Sequence, residues 1–230
     1  MVDVSGNYGS ILRHISEAAE KCRRAPQEIK LLAASKSQNV GLIQAAIAAG
    51  VTLIGENYVQ EAEEKRKTIR ESVEWHMIGH LQRNKVKAAV ALFDLIESLD
   101  SVALARELDK EGSRQGKKVR VFVEVKLSDE ESKSGIAADE VEELLKAAAD
   151  LPHLSIEGLM TVPPFRENPE EVRCYFRQLR ELQATLCGRA IPHVDLRELS
   201  MGMTHDYPVA VEEGATIVRI GTALFGPRNS

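Results

Sequence analysis

Aromatic residues are scarce: Phe, Trp and Tyr make up 4% of the 230 residues, and there is one tryptophan. A chain so poor in rings offers no platform on which successive bases could stack. Excess charge is small as well. There are 30 Lys and Arg against 35 Asp and Glu, a net charge of −5. A mildly acidic chain suits phosphate backbones poorly, because basic side chains supply that affinity, so no nucleic-acid partner is expected. Cysteine is sparse and odd in number. Cys22, Cys174 and Cys187 include no C-x-x-C pair; free thiols in a reducing, cytoplasmic setting are expected rather than a disulfide framework. Long apolar runs are missing too. Ala88–Ile96 is broken by Asp94, and Ile43–Ile54 by Gln44, Gly50 and Thr52, so neither a membrane span nor a membrane partner is expected. The N-terminus, polar through Ser10, has no signal-peptide core.

Several chemical signatures are absent. There is no H-E-x-x-H, no G-x-S-x-G, and no Lys after the second glycine of Gly221–Gly226. These absences set aside zinc-protease, serine-hydrolase and P-loop chemistry. His76 and His80 fall on a strand and its turn rather than on one helix face, and no metal site is expected. The basic runs Lys65-Arg66-Lys67 and Arg83–Lys87 stand beside acids or at turns and read as solvated faces.

What is present is ordinary globular composition, 43% hydrophobic and 28% charged, arranged with a clear alternation. A first helix is marked by Ile11, Leu12, Ile15, Ala18, Ala19 and Cys22 at helical spacing. Strands are predicted at Ile29–Ala34, Val51–Ile54, Glu74–Ile78, Leu95–Leu99, Lys118–Val125, Ser155–Leu159, Leu196–Ser200 and Thr216–Ile220. Between them fall helices at Val40–Ala49, Tyr58–Ile69, Asn84–Leu92, Val102–Lys110, Ala138–Ala149 and Asn168–Cys187, and a short one opened by Pro208. Strand–helix alternation calls for a parallel sheet with helices outside. In a chain of this length it fits a single (β/α)8 TIM barrel over 1–230 with an added N-terminal helix better than a doubly wound open sheet.

Barrel chemistry sits at the C-terminal ends of strands. Those positions hold Lys36, Asn57, the run Ser200-Met201-Gly202-Met203, and Arg219 with Gly221-Thr222. A lysine at a barrel mouth, desolvated or beside another cation, loses its proton readily and can form a Schiff base with an aldehyde; alternatively it simply snorkels to solvent. The loops after the last two strands are a common phosphate site in barrels, and glycine and hydroxyl residues suit one; alternatively the glycines serve tight turns. Arg219, between Val218 and Ile220, either joins a buried ion pair or contacts a ligand.

A Schiff-base lysine, a phosphate cradle and a cation in one mouth suit pyridoxal 5′-phosphate (PLP). The motifs LLAASK (Leu31–Lys36), GENYVQE (Gly55–Glu61), WHMIGHLQRNK (Trp75–Lys85), SKSGI (Ser132–Ile136), GLM (Gly158–Met160), LSMGM (Leu199–Met203) and VRIGTALFG (Val218–Gly226) resemble the YggS/PROSC family of PLP homeostasis proteins. The resemblance runs from the first strand to the C-terminus. It implies a barrel of the alanine racemase N-terminal type, without the racemase C-terminal β domain. It implies Lys36 as the PLP-bearing lysine, Ser200, the Met201–Met203 backbone and Gly221-Thr222 around the phosphate, Arg219 facing the pyridine nitrogen, and Asn57 beside the ring. It implies a protein that holds PLP within the cell, with apo-enzymes as recipients. Two departures stand out: Ser37-Gln38-Asn39 follow Lys36 where many members carry Thr-Lys-Pro nearby, and His80 stands where many bacterial members have Pro.

An arginine facing the ring nitrogen keeps it unprotonated and makes PLP a weak electron sink. The chain is therefore expected to be a carrier without turnover, and a monomer, since the racemase dimer contact belongs to the missing domain. A weak amino-acid racemase is the alternative, with Tyr58 or Tyr207 as the nearest tyrosines; a PLP-independent aldolase acting through Lys36 is a third reading. Lys133 is the expected secondary attachment site.

Overall fold

The computed structural model describes residues 2–128, 130 and 134–227; Ser132 and Lys133 of the SKSGI motif lie outside the described residues. Eight strands form the barrel: β1 (Lys30–Ala34), β2 (Leu53–Glu56), β3 (Glu74–Met77), β4 (Leu95–Leu99), β5 (Val119–Lys126), β7 (Leu154–Met160), β8 (Val194–Met203) and β9 (Ile217–Ile220). All neighbours are parallel, β1 pairs with both β2 and β9, and β4 pairs with β5 to close the ring. Two further residues, β6 (Ile136–Ala137), pair with the last residues of β5 outside the ring. The (β/α)8 expectation holds, and no second, β domain occurs among the described residues.

Helices α2 (Val40–Ala49), α3 (Val59–Thr68), α4 (Val86–Leu92), α5 (Val102–Gln115), α6 (Val141–Ala148), α7 (Arg173–Cys187) and α8 (Tyr207–Glu212) follow the strands. Local chemistry sets their ends. The Asn39 side chain accepts the Leu42 N–H at 3.0 Å, and Gly50 ends α2 in a left-handed conformation at φ 119°, the pairing of N-cap and C-terminal glycine that leaves few orphan backbone groups. Ser101 and Gly116 do the same for α5. The last strand is followed by a single turn, α9 (Thr222–Phe225), which sequence periodicity did not reveal. The N-terminal helix α1 (Val4–Lys21) packs against α2, α8 and α9 and fills the place an eighth full helix would take. It begins seven residues before the first periodic apolar residue because the Asp3 carboxylate caps Gly6. Among the described residues no helix is long and apolar enough to cross a membrane.

Most apolar burial lies between barrel and helices. A second, smaller cluster fills the barrel itself: Leu32, Leu53, Leu95, Phe122, Met160 and Ile217. Burying each such side chain contributes about 1.5–3 kcal/mol. Successive inward positions on a strand are two residues apart. Two residues on from this apolar layer come Ala34, Gly55, Glu97, Glu124, Val162 and Arg219, so the interior turns polar toward the C-terminal ends of the strands.

Candidate functional site

At that end of the barrel lies a cavity of about 550 Å³, within the ordinary range for small-molecule sites. Lys36, Asn57, Met203, Arg219, Gly221 and Thr222 all line it. Ser200, Met201 and Gly202 do not. The reason is the length of β8, which runs to Met203 rather than ending at Ser200. Ser200 is therefore inside the barrel, fully buried, and its hydroxyl is engaged: it donates to Glu97 Oε2 at 2.5 Å and accepts from Arg219 Nη1 at 2.7 Å. Gly202, at φ 91°, serves packing, since a Cβ there would sit 2.5 Å from that of Ala210.

The residue at the true end of β8 is Thr204, which sequence reasoning missed. It lines the cavity, and its Oγ1 accepts the Ala223 N–H at 3.2 Å, which holds it against the Gly221-Thr222 turn with its own O–H left to donate. A strand boundary placed three residues later, at Met203, would have brought it into view. Gln38, Phe165 and His205 also reach the cavity; Phe165 is 73% exposed and its ring lies 5.3 Å from that of His205. Asn57 is seated by Gly79, where a Cβ would come within 2.5 Å of the Asn57 carbonyl oxygen. Asn57 also borders a second cavity of about 420 Å³, shared with Tyr58, Gln60, His80 and Lys85.

Lys36 sits in a tight turn directly after β1. The turn is closed by the Gln38 N–H on the Ser35 carbonyl at 3.0 Å, and Ser37 adopts a left-handed φ of 61°. That is the shape taken by the Ser37-Gln38-Asn39 departure. The base of the turn is wired to α3 and β2. Lys65 Nζ donates to the Ser35 carbonyl at 2.7 Å, to Glu56 Oε1 at 2.6 Å and to Glu61 Oε2 at 3.1 Å. Lys65 is thus buried, not on a solvated face as the basic run suggested. Its neighbour Arg66 covers the Trp75 ring at 5.7 Å, and only Lys67 behaves as the sequence implied. Burial pushes the Glu56 carboxyl up, opposed by Lys65 and Ser35.

Arg219 is buried at 4% exposure, yet it donates to neutral oxygens: Ser200 Oγ and, at 2.8 Å from Nη2, the Thr161 carbonyl. Among the described residues no carboxylate lies within ion-pair distance of it. The carboxylates stand one step back. Glu97 reaches it through Ser200, and its other oxygen meets His76 Nδ1 at 2.7 Å. Glu124 is buried with one oxygen lacking a hydrogen-bond partner; burial, only partly offset by Arg219, pushes its carboxyl up to about 7. Of the two readings of Arg219, the directly buried ion pair is not what the structure shows: a guanidinium has five donors, and the two bonds here go to neutral oxygens.

The alanine racemase N-terminal domain model matches residues 7–229. The chain belongs to that family, and within it to the YggS/PROSC group. A relative from Aquifex aeolicus, named pyridoxal phosphate homeostasis protein, is 44% identical over 222 residues, 95% of each chain. A protein of unknown function from Bifidobacterium adolescentis superposes with a TM-score of 0.90 at 35% identity, covering 98% of this chain and 97% of that one. PipY of Synechococcus elongatus, solved with PLP bound, gives a TM-score of 0.82 at 38% identity over 92% of this chain and all of that one.

Proposed function

We propose that this protein binds pyridoxal 5′-phosphate at the barrel mouth, linked through Lys36, and takes part in PLP homeostasis without turnover. The observation that carries the reading is the donor set around one cavity: an amine from Lys36, a guanidinium from Arg219, and hydroxyls from Thr204 and Thr222 beside Gly221, where no Cβ intrudes. The group fits that set. When bound it supplies an aldehyde that a primary amine can condense with, on an electron-withdrawing ring. Lys36 would meet the aldehyde. Thr204, Gly221 and Thr222 would hold the phosphate, whose charge makes each donor worth more than in a neutral hydrogen bond. Arg219 would stand at the ring nitrogen and keep a proton off it, since a second positive charge beside a guanidinium is unfavourable. The relatives' name and the PLP-bound PipY support the same choice of cofactor.

Two features support a carrier over a racemase. Arg219 leaves the ring a weak electron sink, and among the described residues no tyrosine lines the main cavity. Tyr207 is buried with its hydroxyl 2.9 Å from His14, and Tyr58 borders the neighbouring cavity. The test is borohydride reduction of the PLP-loaded protein followed by peptide mapping. A pyridoxyl adduct on Lys36, absent in a folded Lys36→Ala variant, is expected. An adduct on another lysine with Lys36 unmodified would overturn the reading.

A further inference from the structure

We propose that Glu61 and Lys65 are positioning residues for Lys36: two side chains from one face of α3 grip the carbonyl just before it and the amide just after it. The proposal rests on the reading of Lys36 given above and deepens it. Ser35 and Ser37 flank Lys36 in the chain, and both are held. The Ser35 carbonyl accepts from Lys65 Nζ at 2.7 Å, its N–H donates to the Gly55 carbonyl at 2.9 Å, and its hydroxyl donates to Glu56 Oε1 at 2.5 Å. The Ser37 N–H donates to Glu61 Oε2 at 2.9 Å. Glu61 and Lys65 are four residues apart, so they share a helix face, and they contact each other at 3.1 Å.

The Lys65 ammonium is fully matched in a way a solvated one is not. An ammonium has three N–H donors, and Lys65 places them on three acceptors, Ser35 O, Glu56 Oε1 and Glu61 Oε2. Lys65 is 8% exposed and Glu56 0%. The turn has one hydrogen bond of its own, Gln38 N–H on the Ser35 carbonyl, but Ser37 carries a left-handed φ of 61° on a residue with a Cβ, a conformation that surrounding contacts help to maintain. A lysine side chain is long and flexible. Anchoring its backbone on both sides is what can place its amine repeatedly at one point of the cavity wall, and placement of a nucleophile is worth orders of magnitude in effective concentration.

The consequence is confined to the covalent step. There the Lys36 nitrogen adds to the aldehyde carbon, a carbon–nitrogen double bond replaces the carbonyl, and the oxygen leaves as water with two protons from the amine. The residues proposed above for the ring nitrogen and the phosphate, Arg219, Thr204, Gly221 and Thr222, lie outside this turn. Loosening the grip should therefore weaken binding of PLP but not of pyridoxine 5′-phosphate, which carries an alcohol in place of the aldehyde.

Glu61→Ala is the decisive variant, since the side chain is 34% exposed and its removal leaves Lys65 paired with Glu56. Affinity for PLP is expected to fall roughly tenfold, the value of one charge-assisted bond to a backbone amide. Pyridoxine 5′-phosphate affinity should stay within about twofold of the parent. Glu61→Gln, which keeps an oxygen for the Ser37 N–H, should recover most of the loss. Hydrogen exchange of the Ser37 amide, measured without any cofactor, should speed up in Glu61→Ala and not in Glu61→Gln. Equal losses for the two ligands, or unchanged PLP affinity, would overturn the proposal. If the unsubstituted protein carries no adduct on Lys36 after reduction, the functional reading falls, while the exchange measurement still decides whether Glu61 holds the turn.

Discussion

Two buried cations stand on neighbouring sectors of the barrel mouth, and they are held in different ways. Lys65, on the β1–β2 side, touches two carboxylates directly. Arg219, on the β8–β9 side, touches a serine hydroxyl and a carbonyl, with Glu97, Glu124 and Asp206 acting on it from farther off. The first spends its charge on the fold, because every donor is matched inside the protein. The second is buried with only neutral oxygens as direct partners, which costs stability and leaves it suited to the ligand contact proposed above. The contrast separates a charge matched within the fold from a charge proposed to meet a ligand.

The sharpest way to break it is to remove each charge. Lys65→Met leaves the fully buried Glu56 without its cation, and breaking a buried pair from one side costs about 3–5 kcal/mol. Arg219→Met removes a cation whose direct partners are neutral, and unfolding stability should stay within about 1 kcal/mol of the parent, while PLP binding drops. Chemical denaturation of both variants without cofactor is the measurement. Equal losses would erase the distinction.

Glu124 sharpens the Arg219 side. Its carboxyl is pushed from 4.5 up to about 7 by burial, with Arg219 pulling the other way. Between those values the folded protein holds a proton that the unfolded chain has released. The folded state therefore binds more protons there, and this group's contribution to stability falls as pH rises through that window. Glu124→Gln lacks the effect. Relative to the parent it should gain up to about 3 kcal/mol between pH 4.5 and pH 8, read from denaturation midpoints at several pH values. Parallel pH profiles would show that Glu124 titrates normally and that the Arg219 side is better compensated than its contacts indicate.

The phosphate end gives a smaller effect and tests the reassigned residue. Thr204→Val and Thr222→Val should each weaken PLP by roughly ten- to a hundredfold, since each removes a donor to a charged acceptor, with pyridoxal nearly indifferent. Ser200→Ala should instead lower stability by about 1–3 kcal/mol, because Arg219 and Glu97 both lose a buried partner. Its effect on PLP should not exceed its effect on pyridoxal. A phosphate-selective loss in Ser200→Ala would restore that residue to the cradle.

These two sides were unequally legible in the amino-acid sequence. Strand–helix alternation was enough for the barrel, and strand ends were enough to bring Lys36, Asn57 and Arg219 to one cavity wall, because a polar residue at the end of an apolar strand is visible without a structure. The motif resemblance added the cofactor. Ser200 looks like a strand end because the glycine of LSMGM reads as a loop, yet β8 continues through that glycine, which packs against Ala210. Lys65 was misread for a different reason. KRK looks like a solvated stripe, and only tertiary placement of α3 over the β1 turn shows that its first member is buried and its second covers a tryptophan. Pattern reasoning sees periodicity along one element; it does not see which charge an adjacent element will bury.

The smallest effect concerns Ser37. Its left-handed backbone costs on the order of 1 kcal/mol for a residue with a Cβ. Glycine removes that cost but adds unfolded-state entropy of similar size. Ser37→Gly alone should therefore change stability by no more than about 0.5 kcal/mol. The informative measurement is the double-mutant cycle with Glu61→Ala. If Glu61 holds a strained turn, relieving the strain makes its grip less necessary, and the second substitution should cost about 0.5–1 kcal/mol less in the glycine background than in the parent. Arg219 has no such coupling to expect, since it holds a side chain and not a backbone conformation. Strict additivity between Ser37→Gly and Glu61→Ala would mean that the Lys36 turn keeps its shape without the α3 contacts, and the contrast between the two sides of the mouth would then rest on Lys65 and Glu56 alone.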